Sequence, residues 1–167
     1  MDLAPEIDRI IEKESMYLRC QRIKPISDDA SARDHYEILL GVIRSDGEDV
    51  STPEFIEAAE RLNRMPDVDR WVVKTAFNWI AMNGEALSDE IDVFSINLSG
   101  RSLNDDSFLE YILDQIEQTE VPIDRVCFEV TETAGVDNLS DASEFIKEIK
   151  ETGCMFSLDD FGTGMSS

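Results

Sequence analysis

Two adjacent carboxylates near the end of the chain, Asp159 and Asp160, have the residue type and spacing of a metal site. They follow a short apolar run, residues 154–158, and precede a turn with Gly162 and Gly164, so they stand where a buried strand ends. A buried charge is costly unless a partner or a metal ion compensates it, which favours a role as ligands. In so acidic a chain, two neighbouring aspartates can also be ordinary surface residues, and other strand ends must decide between the two interpretations.

Oxygen-bearing side chains also stand at other predicted strands. Asn97 follows one strand, Glu129 follows the next, and Glu37 lies within an earlier apolar strand. Because parallel strands end at the same edge of a sheet, these side chains are expected to converge with the two aspartates. Carboxylate and amide oxygens suit hard ions such as Mg²⁺, Mn²⁺ or Ca²⁺, and paired aspartates can hold two ions as in phosphoryl chemistry.

The order of the predicted elements in the second half requires a parallel sheet. Strands are predicted at residues 91–96, 126–128 and 154–158, with helices between them that begin at the N-caps Asn104 and Ser140. Each helix carries the chain back to begin the next strand in the same direction. The fold class is therefore α/β with parallel strands.

The first half is predicted to supply two more strands and three helices. Residues 5–15 form a short amphipathic helix, a lead-in or a linker from a preceding domain, and residues 16–26 and 35–43 form strands. The next helix is predicted to begin in Ser51-Thr52-Pro53, with a hydroxyl N-cap before Pro53 at the first helical position. The last helix is predicted over residues 68–82, with the inward residues Trp71, Val72, Thr75, Ala76, Trp79 and Ile80 and an end at Asn83-Gly84.

The formal net charge of −22 limits the classes of partner. An acidic surface repels phosphate backbones, so binding to long nucleic acid or to an anionic membrane is not expected. A small phosphorylated ligand remains compatible if divalent cations stand between the acids and the phosphates. No apolar run approaches the roughly 18 residues of a membrane span, and the start lacks a basic apolar leader, so a cytoplasmic location without membrane insertion is expected.

Cysteine and histidine usage excludes other chemistry. Cys20, Cys127 and Cys154 are odd in number and widely spaced, which favours reduced core thiols over disulfides or a zinc site. His35 is the only histidine, so a Ser-His-Asp triad would depend on it, and no nucleophile motif accompanies it.

Short segments along the chain resemble, in order and spacing, the signatures of the EAL domain family. These segments are Gln21-Arg22-Ile23, Tyr36-Glu37-Ile38-Leu39-Leu40, Pro53-Glu54-Phe55-Ile56, Ala59-Glu60-Arg61, Asp69-Arg70-Trp71-Val72, Asn97-Leu98-Ser99, Glu129-Val130-Thr131-Glu132 and the final nine residues from Asp159 to Ser167. The resemblance implies a domain over residues 16–167, a partial EAL domain preceded by the helix or linker of residues 1–15. It implies a TIM-like (β/α)8 barrel, here incomplete and with an atypical first strand.

The resemblance also implies an activity, the hydrolysis of cyclic di-GMP to linear pGpG with two Mg²⁺ or Mn²⁺ ions, and Ca²⁺ is expected to inhibit it. Matched by position, the implied metal ligands are Glu37, Asn97, Glu129, Asp159 and Asp160. Glu37, Asp159 and Asp160 count among them as catalytic, Glu132 matches a residue that supports the site, and Gln21 matches a position near the nucleotide.

Two departures from the family pattern matter. Gly41 stands where the family usually has an arginine that touches the substrate phosphate, with Arg44 as an alternative source of that charge. The chain also stops shortly after Asp160, whereas a complete barrel takes roughly 250 residues. We therefore expect weak hydrolysis or none from this chain, and association between copies, such as a homodimer, through an open sheet edge. The alternative functions are a degenerate cyclic di-GMP receptor and an interaction module without catalysis.

Overall fold

A six-stranded sheet with helices packed against it makes up the part of the chain that the computed structural model describes, residues 3–23, 34–87, 91–130 and 138–158. The strands are β1 (Met16–Ile23), β2 (Asp34–Ile43), β3 (Asp49–Val50), β4 (Ile91–Asn97), β5 (Val126–Glu129) and β6 (Met155–Ser157). The α-helices are α1 (Ala4–Glu12), α2 (Thr52–Arg61), α3 (Met65–Leu87), α4 (Asp106–Thr119) and α5 (Leu139–Glu151). Two 3₁₀ turns, Gly100–Asn104 and Ile123–Arg125, precede α4 and β5.

The sheet confirms the predicted parallel α/β architecture. Its strand order is β1-β2-β4-β5-β6, with β3 paired to β2. β2, β4, β5 and β6 are parallel neighbours, joined by helical connections, whereas β1 runs antiparallel to β2. The first strand is therefore the atypical one, and within the described residues β1 and β6 are the edges of an open sheet.

The two faces of the sheet differ in chemistry because side chains alternate along each strand. On the helix-facing side, Phe94, Ile96 and Phe128 are buried, and the ring of Phe128 lies 6.1 Å from that of Phe77 in α3. The opposite face carries, in register across β2, β4 and β5, the residues Glu37, Ser95, Asn97, Cys127 and Glu129. One face of the strands thus builds the core, and the other presents polar groups.

The first helix belongs to the same core as the sheet. Ile7 and Ile10 of α1 are buried and pack in one apolar cluster with residues of β2 and α2, among them Val42 and Phe55. Arg44 donates a hydrogen bond of 3.1 Å from Nη2 to Oε1 of Glu6, which ties α1 to the end of β2. The amphipathic pattern predicted for residues 5–15 therefore has a packing partner.

Helix α3 is longer and rotated relative to its prediction. It does not end at Asn83-Gly84 but continues to Leu87, and the side-chain amide of Asn83 donates a hydrogen bond of 2.8 Å to the carbonyl of Trp79. The buried stripe includes Val73 and Phe77 together with Ile80, whereas Trp79 is 44% exposed. The prediction of an inward Trp79 is wrong, since this residue lies at the border of the buried stripe.

The predicted N-caps of α4 and α5 are displaced by one and two residues. Asp105, not Asn104, accepts hydrogen bonds from the backbone amides of Ser107 and Phe108, because the 3₁₀ turn Gly100–Asn104 delays the start of α4. Asn138, not Ser140, caps α5. The side chain of Asn104 instead bonds the backbone of Asn138 in both directions, at 2.7 and 3.3 Å, and so joins the starts of the two helices. Helix α2 begins at Thr52, so Pro53 is its second residue and not its first as predicted; Ser51 is at the N-cap position, and its hydroxyl makes no capping bond.

Asp105→Ala is expected to lower the free energy of unfolding by about 1 kcal/mol, since two helix amides lose their acceptor. Burial raises the pKa of the Asp105 carboxyl, but bonds from Ser107 and Phe108 and the charge of Arg70 outweigh it and hold that pKa below its ordinary value. The stabilisation is therefore present above the ordinary carboxyl pKa and is lost as pH falls through the lowered one. Urea unfolding at several pH values measures this.

Asp105→Asn is the control for that measurement. The asparagine keeps a capping oxygen but cannot titrate, so it should retain most of the stability at neutral pH and lose the acid dependence. Equal unfolding free energies for Asp105→Ala and the unsubstituted chain at neutral pH would contradict the assignment of this cap.

Two further predictions concern thiols and membranes. Cys127 and Cys154 are buried free thiols as expected, but Cys20 is exposed on β1, so the prediction of a core position is wrong for this residue. Burial raises the pKa of the Cys154 thiol to about 12, which keeps it protonated and unreactive.

None of the helices in the described ranges has the length and apolar character needed to cross a membrane.

Candidate active site

Three of the predicted site residues lie at neighbouring positions on adjacent strands, and two of them are at the carboxyl ends of their strands. Asn97 ends β4 and Glu129 ends β5, and the two are direct partners in the parallel register. Glu37 of β2 is paired with Ser95, two residues before Asn97 on the same face of β4. The amide nitrogen of Asn97 donates a hydrogen bond of 3.3 Å to Oε1 of Glu37. Carboxylates from two strands therefore flank an amide from the strand between them.

Gln21 reaches the same region from β1. It is the direct antiparallel partner of Glu37, so both side chains lie on one face of the sheet. The side chain of Gln21 is exposed, as a residue that contacts a ligand must be before the ligand binds. The reversed direction of β1 thus brings its middle, rather than its end, beside the strand ends.

Three predicted site residues lie outside the described part of the chain. These are Glu132, Asp159 and Asp160. The strand before the two aspartates ends at Ser157, which is paired with Glu129 of β5. Within the described residues, no cluster of three or more His, Cys, Asp or Glu side chains is arranged to hold a metal ion. The predicted ligand set differs from such a cluster, since it includes an amide and both aspartates.

The donor chemistry of the described residues fits a hard divalent ion. Glu37 and Glu129 offer carboxylate oxygens, and Asn97 offers an amide oxygen, which are the ligands that Mg²⁺ and Mn²⁺ prefer. The bond between Asn97 and Glu37 uses the amide nitrogen of Asn97, so Oδ1, the atom that a metal needs, is not engaged by it. These three residues are therefore suited to hold an ion at the strand ends.

The single histidine does not create a nucleophilic serine. Nε2 of His35 shares a short hydrogen bond with the hydroxyl of Ser95 on β4. Ser95 is only 1% exposed, so its hydroxyl has no access to a substrate. The pair links β2 to β4, two residues before Glu37 and Asn97 on each strand, and has a structural role.

A cavity of about 560 Å³ opens beside the strand ends. Leu39 of β2, Asn97 of β4 and Arg19 of β1 line it, and α2 adds Pro53 and Ile56. Its volume lies within the roughly 300–1,000 Å³ of typical small-molecule sites, and a largely apolar wall with a few polar groups is the usual composition of such sites. The strand ends thus border a space large enough for an organic ligand.

Asp69 of α3 holds the loop that follows Asn97. Its Oδ2 accepts hydrogen bonds from the backbone amide of Ser99 at 3.0 Å, from the Ser99 hydroxyl at 2.8 Å and from the Ser102 hydroxyl at 2.6 Å. The residue is 3% exposed. Burial raises the pKa of the Asp69 carboxyl, although the bonds from Ser102 and Ser99 oppose that shift. Asp69 therefore positions the chain two residues beyond Asn97 without itself being predicted as a ligand.

Sequence reasoning grouped Asp69 with a motif but gave it no role. A usable signal was present, since Asp69 lies between Val68 and Val72 on the apolar stripe of α3, where a charge requires partners. The hydroxyl residues Ser99 and Ser102, two and five positions after Asn97, are the complementary signal. Their pairing needs the packing of α3 against the turn Gly100–Asn104, which sequence spacing does not supply.

In this structure the ring of Tyr17 lies over Gly41, so a side chain at position 41 would require that ring to move. A Cβ at this position would lie 2.3 Å from Cζ of Tyr17, its direct partner on β1, and the Tyr17 hydroxyl donates a hydrogen bond of 2.9 Å to Asp49. Arg44, the alternative source of positive charge, bonds Glu6 of α1 and is not among the residues that line the cavity. Neither position therefore offers a cation to the cavity in this structure.

Comparison with known proteins places these features in a family. The EAL domain family matches residues 7–167. The cyclic di-GMP phosphodiesterase PdeB of Shewanella oneidensis is 36% identical over 164 residues, which are 98% of this chain and 19% of that protein. The cyclic di-GMP phosphodiesterase PdeA of Borreliella burgdorferi is 28% identical over 163 residues, which are 95% of this chain and 23% of that protein. The chain thus spans about a fifth of the length of these relatives.

A solved structure shares the fold. The FimX EAL domain from Pseudomonas aeruginosa bound to c-di-GMP aligns with a TM-score of 0.81 and 22% identity, over 99% of this chain and 64% of that chain. At this identity the likeness shows the fold alone. It confirms the predicted TIM-like barrel family, of which the described residues form an open, mostly parallel sheet.

Proposed function

Because the chain belongs to the EAL domain family, we propose that it binds cyclic di-GMP and contributes to the metal-dependent hydrolysis of one phosphodiester bond, which yields linear pGpG. The observation that carries the proposal is that Glu37 lies beside Asn97 and Glu129, which end adjacent strands next to a cavity of about 560 Å³. Oxygen donors beside an organic-ligand cavity are what the binding of a metal and a nucleotide together requires.

In this proposal, Glu37, Asn97 and Glu129 hold divalent metal together with Asp159 and Asp160, and Glu132 supports them. When bound, two Mg²⁺ or Mn²⁺ ions would lower the pKa of the attacking water and would place positive charge beside the phosphate oxygens. The residues of this chain fix the positions of the oxygen donors through the register of β2, β4 and β5. Gln21, across from Glu37, contacts the nucleotide from β1.

The charge of the chain makes cations necessary for binding. At a net charge of −22, the field around the site repels a dinucleotide that carries two phosphates. When oxygen ligands bind divalent ions, the local electrostatic potential changes from negative to positive. We therefore expect cyclic di-GMP to bind this chain only when divalent ions are present.

A receptor without catalysis is the second candidate, and one observation favours it. Gly41 has no side chain, and the Tyr17 ring lies over it, so the position from which the family arginine touches the phosphate carries no cation in this chain. A receptor needs affinity but no activated water, so binding and cleavage must be measured separately.

Calorimetric titration of cyclic di-GMP with Ca²⁺ present tests the proposal, because Ca²⁺ is expected to support binding while it inhibits cleavage. Glu37→Gln and Asn97→Ala should each weaken binding about tenfold or more, since each removes an oxygen ligand or its partner. Glu117→Gln, an exposed acid on α4, changes charge equally and should bind like the unsubstituted chain. Absence of binding, or equal binding by Glu37→Gln, would contradict the proposal.

Cleavage is then followed by chromatography with Mg²⁺ or Mn²⁺ in place of Ca²⁺. Formation of pGpG supports the phosphodiesterase, and lasting binding without pGpG in the longest protein that contains this chain supports the receptor. A cytoplasmic location and association between copies of the chain remain predictions.

A further inference from the structure

The cavity beside the strand ends has an uneven charge distribution. Glu57, Glu60 and Asp69 are its acidic lining residues, and among the lining residues that the structure describes Arg19 is the only lysine or arginine. An anionic ligand in this space therefore meets one cationic side chain, and it comes from the edge strand β1.

Arg19 is not committed to another acid within the described ranges. Several other arginines in this acidic chain are paired, as Arg22 is with Asp34 and Arg70 with Asp105. Arg19 forms no ion pair with a described carboxylate, and its side chain is exposed. A guanidinium at a cavity wall without an internal partner is suited to bind a ligand phosphate, because its planar donors match phosphate oxygens.

The strand register explains why the cation comes from β1. Along the paired strands, Tyr17 faces Gly41, Arg19 faces Leu39 and Gln21 faces Glu37, all on one face of the sheet. The Tyr17 ring occupies the space over Gly41, and its bond to Asp49 holds it there. Arg19 is therefore the first cationic side chain on this face beyond Gln21 and the predicted metal ligand Glu37.

We propose that Arg19 is a substrate-binding residue whose guanidinium contacts a phosphodiester group of the nucleotide in the cavity. The inference rests on the proposed function for the identity of the ligand. It assigns to β1, through Arg19, the positive charge that neither Gly41 nor Arg44 provides.

Calorimetry of cyclic di-GMP with Ca²⁺ is the first test. Arg19→Gln should weaken binding by about 10- to 100-fold, the worth of a charge-assisted hydrogen bond. The affinity of Arg19→Lys should lie between these two, since lysine keeps the positive charge but lacks the planar pair of guanidinium donors. Arg9→Gln, an exposed arginine on α1, is the matched control and should leave affinity unchanged. Equal affinities for Arg19→Gln and the unsubstituted chain overturn the inference and leave the proposed function standing.

A second measurement separates this inference from the proposed function. The Nε–H resonance of Arg19, assigned by its loss in Arg19→Gln, is followed by NMR during titration with dimethyl phosphate. A saturable shift supports the phosphodiester contact even if the chain does not bind cyclic di-GMP, in which case the proposed function fails alone. If the Arg19 Nε–H resonance shifts with neither dimethyl phosphate nor cyclic di-GMP, the assignment of Arg19 is overturned.

Discussion

Replacement of Asp69 by alanine is expected to lower the free energy of unfolding by about 2–4 kcal/mol and to weaken cyclic di-GMP binding. The substitution removes the acceptor of three hydrogen bonds, two from Ser99 and one from Ser102. Ser102 is fully buried and Ser99 is half-buried, so the loss of the acceptor costs most at the Ser102 hydroxyl, which water cannot reach. Since Ser99 lies two residues after Asn97, the loop that follows Asn97 loses its anchor.

Asp69→Asn is the control that separates hydrogen bonding from charge. Its side-chain oxygen can accept the same bonds, so most of the stability should remain, with binding close to that of the unsubstituted chain. Urea denaturation followed by tryptophan fluorescence gives the free energies, and calorimetry gives the affinities. If Asp69→Ala is as stable as Asp69→Asn, the three bonds do not anchor the loop.

The same pair of variants yields a pH signature. Burial raises the pKa of Asp69 in the folded chain, so the folded state binds the proton more tightly than the unfolded state. Its contribution is fully present below the ordinary carboxyl pKa and declines as pH rises through the raised one. Asp69→Asn should lack this decline when unfolding is measured at a series of pH values from the ordinary carboxyl pKa upward.

The second large effect is expected at Phe128. Phe128→Ala should lower the free energy of unfolding by about 3–5 kcal/mol, because it leaves a cavity where the ring was fully buried. The ring lies between those of Phe77 on α3 and Phe156 on β6, with centroids 6.1 and 6.4 Å away. Its loss therefore weakens the contact of β5 with a helix and with the edge strand together.

Two other variants keep this prediction testable. Phe128→Leu preserves most of the volume and should cost less than about 1.5 kcal/mol, which allows measurement if the alanine variant does not fold. Leu139→Ala removes an apolar side chain that is 56% exposed and should change stability by less than about 0.5 kcal/mol. A cost at Leu139 equal to that at Phe128 would mean that burial does not determine the effect.

The strand framework could be predicted from sequence because it depends on local alternation. Phe94 and Ile96 face the helices while Ser95 and Asn97 face the other way, and this pattern of two is visible in the residues themselves. Parallel order then follows from the helices between strands, and it brings Asn97 and Glu129 into register without further information. These steps need no knowledge of long-range packing.

The features that the sequence did not predict depend on contacts between distant segments of the chain. The start of α4 moved by one residue because a 3₁₀ turn intervenes and Asn104 bonds Asn138 instead of capping. Trp79 and Phe77 are two positions apart on one helix, and only the rotation of α3 against the sheet decides that Phe77 is buried. The Tyr17 ring over Gly41 likewise requires the antiparallel register of β1.

The alternation of the strands has a consequence for how this chain can change over evolutionary time. Predicted site residues and core residues share β2, β4 and β5 and are distinguished only by odd or even position, as Glu129 is from Phe128. Inserting or deleting one residue inside such a strand would exchange the two sets, so that carboxylates enter the apolar layer and aromatic rings enter the site. Length variation among homologues should therefore fall in the connections, whereas within these strands only substitutions are tolerated.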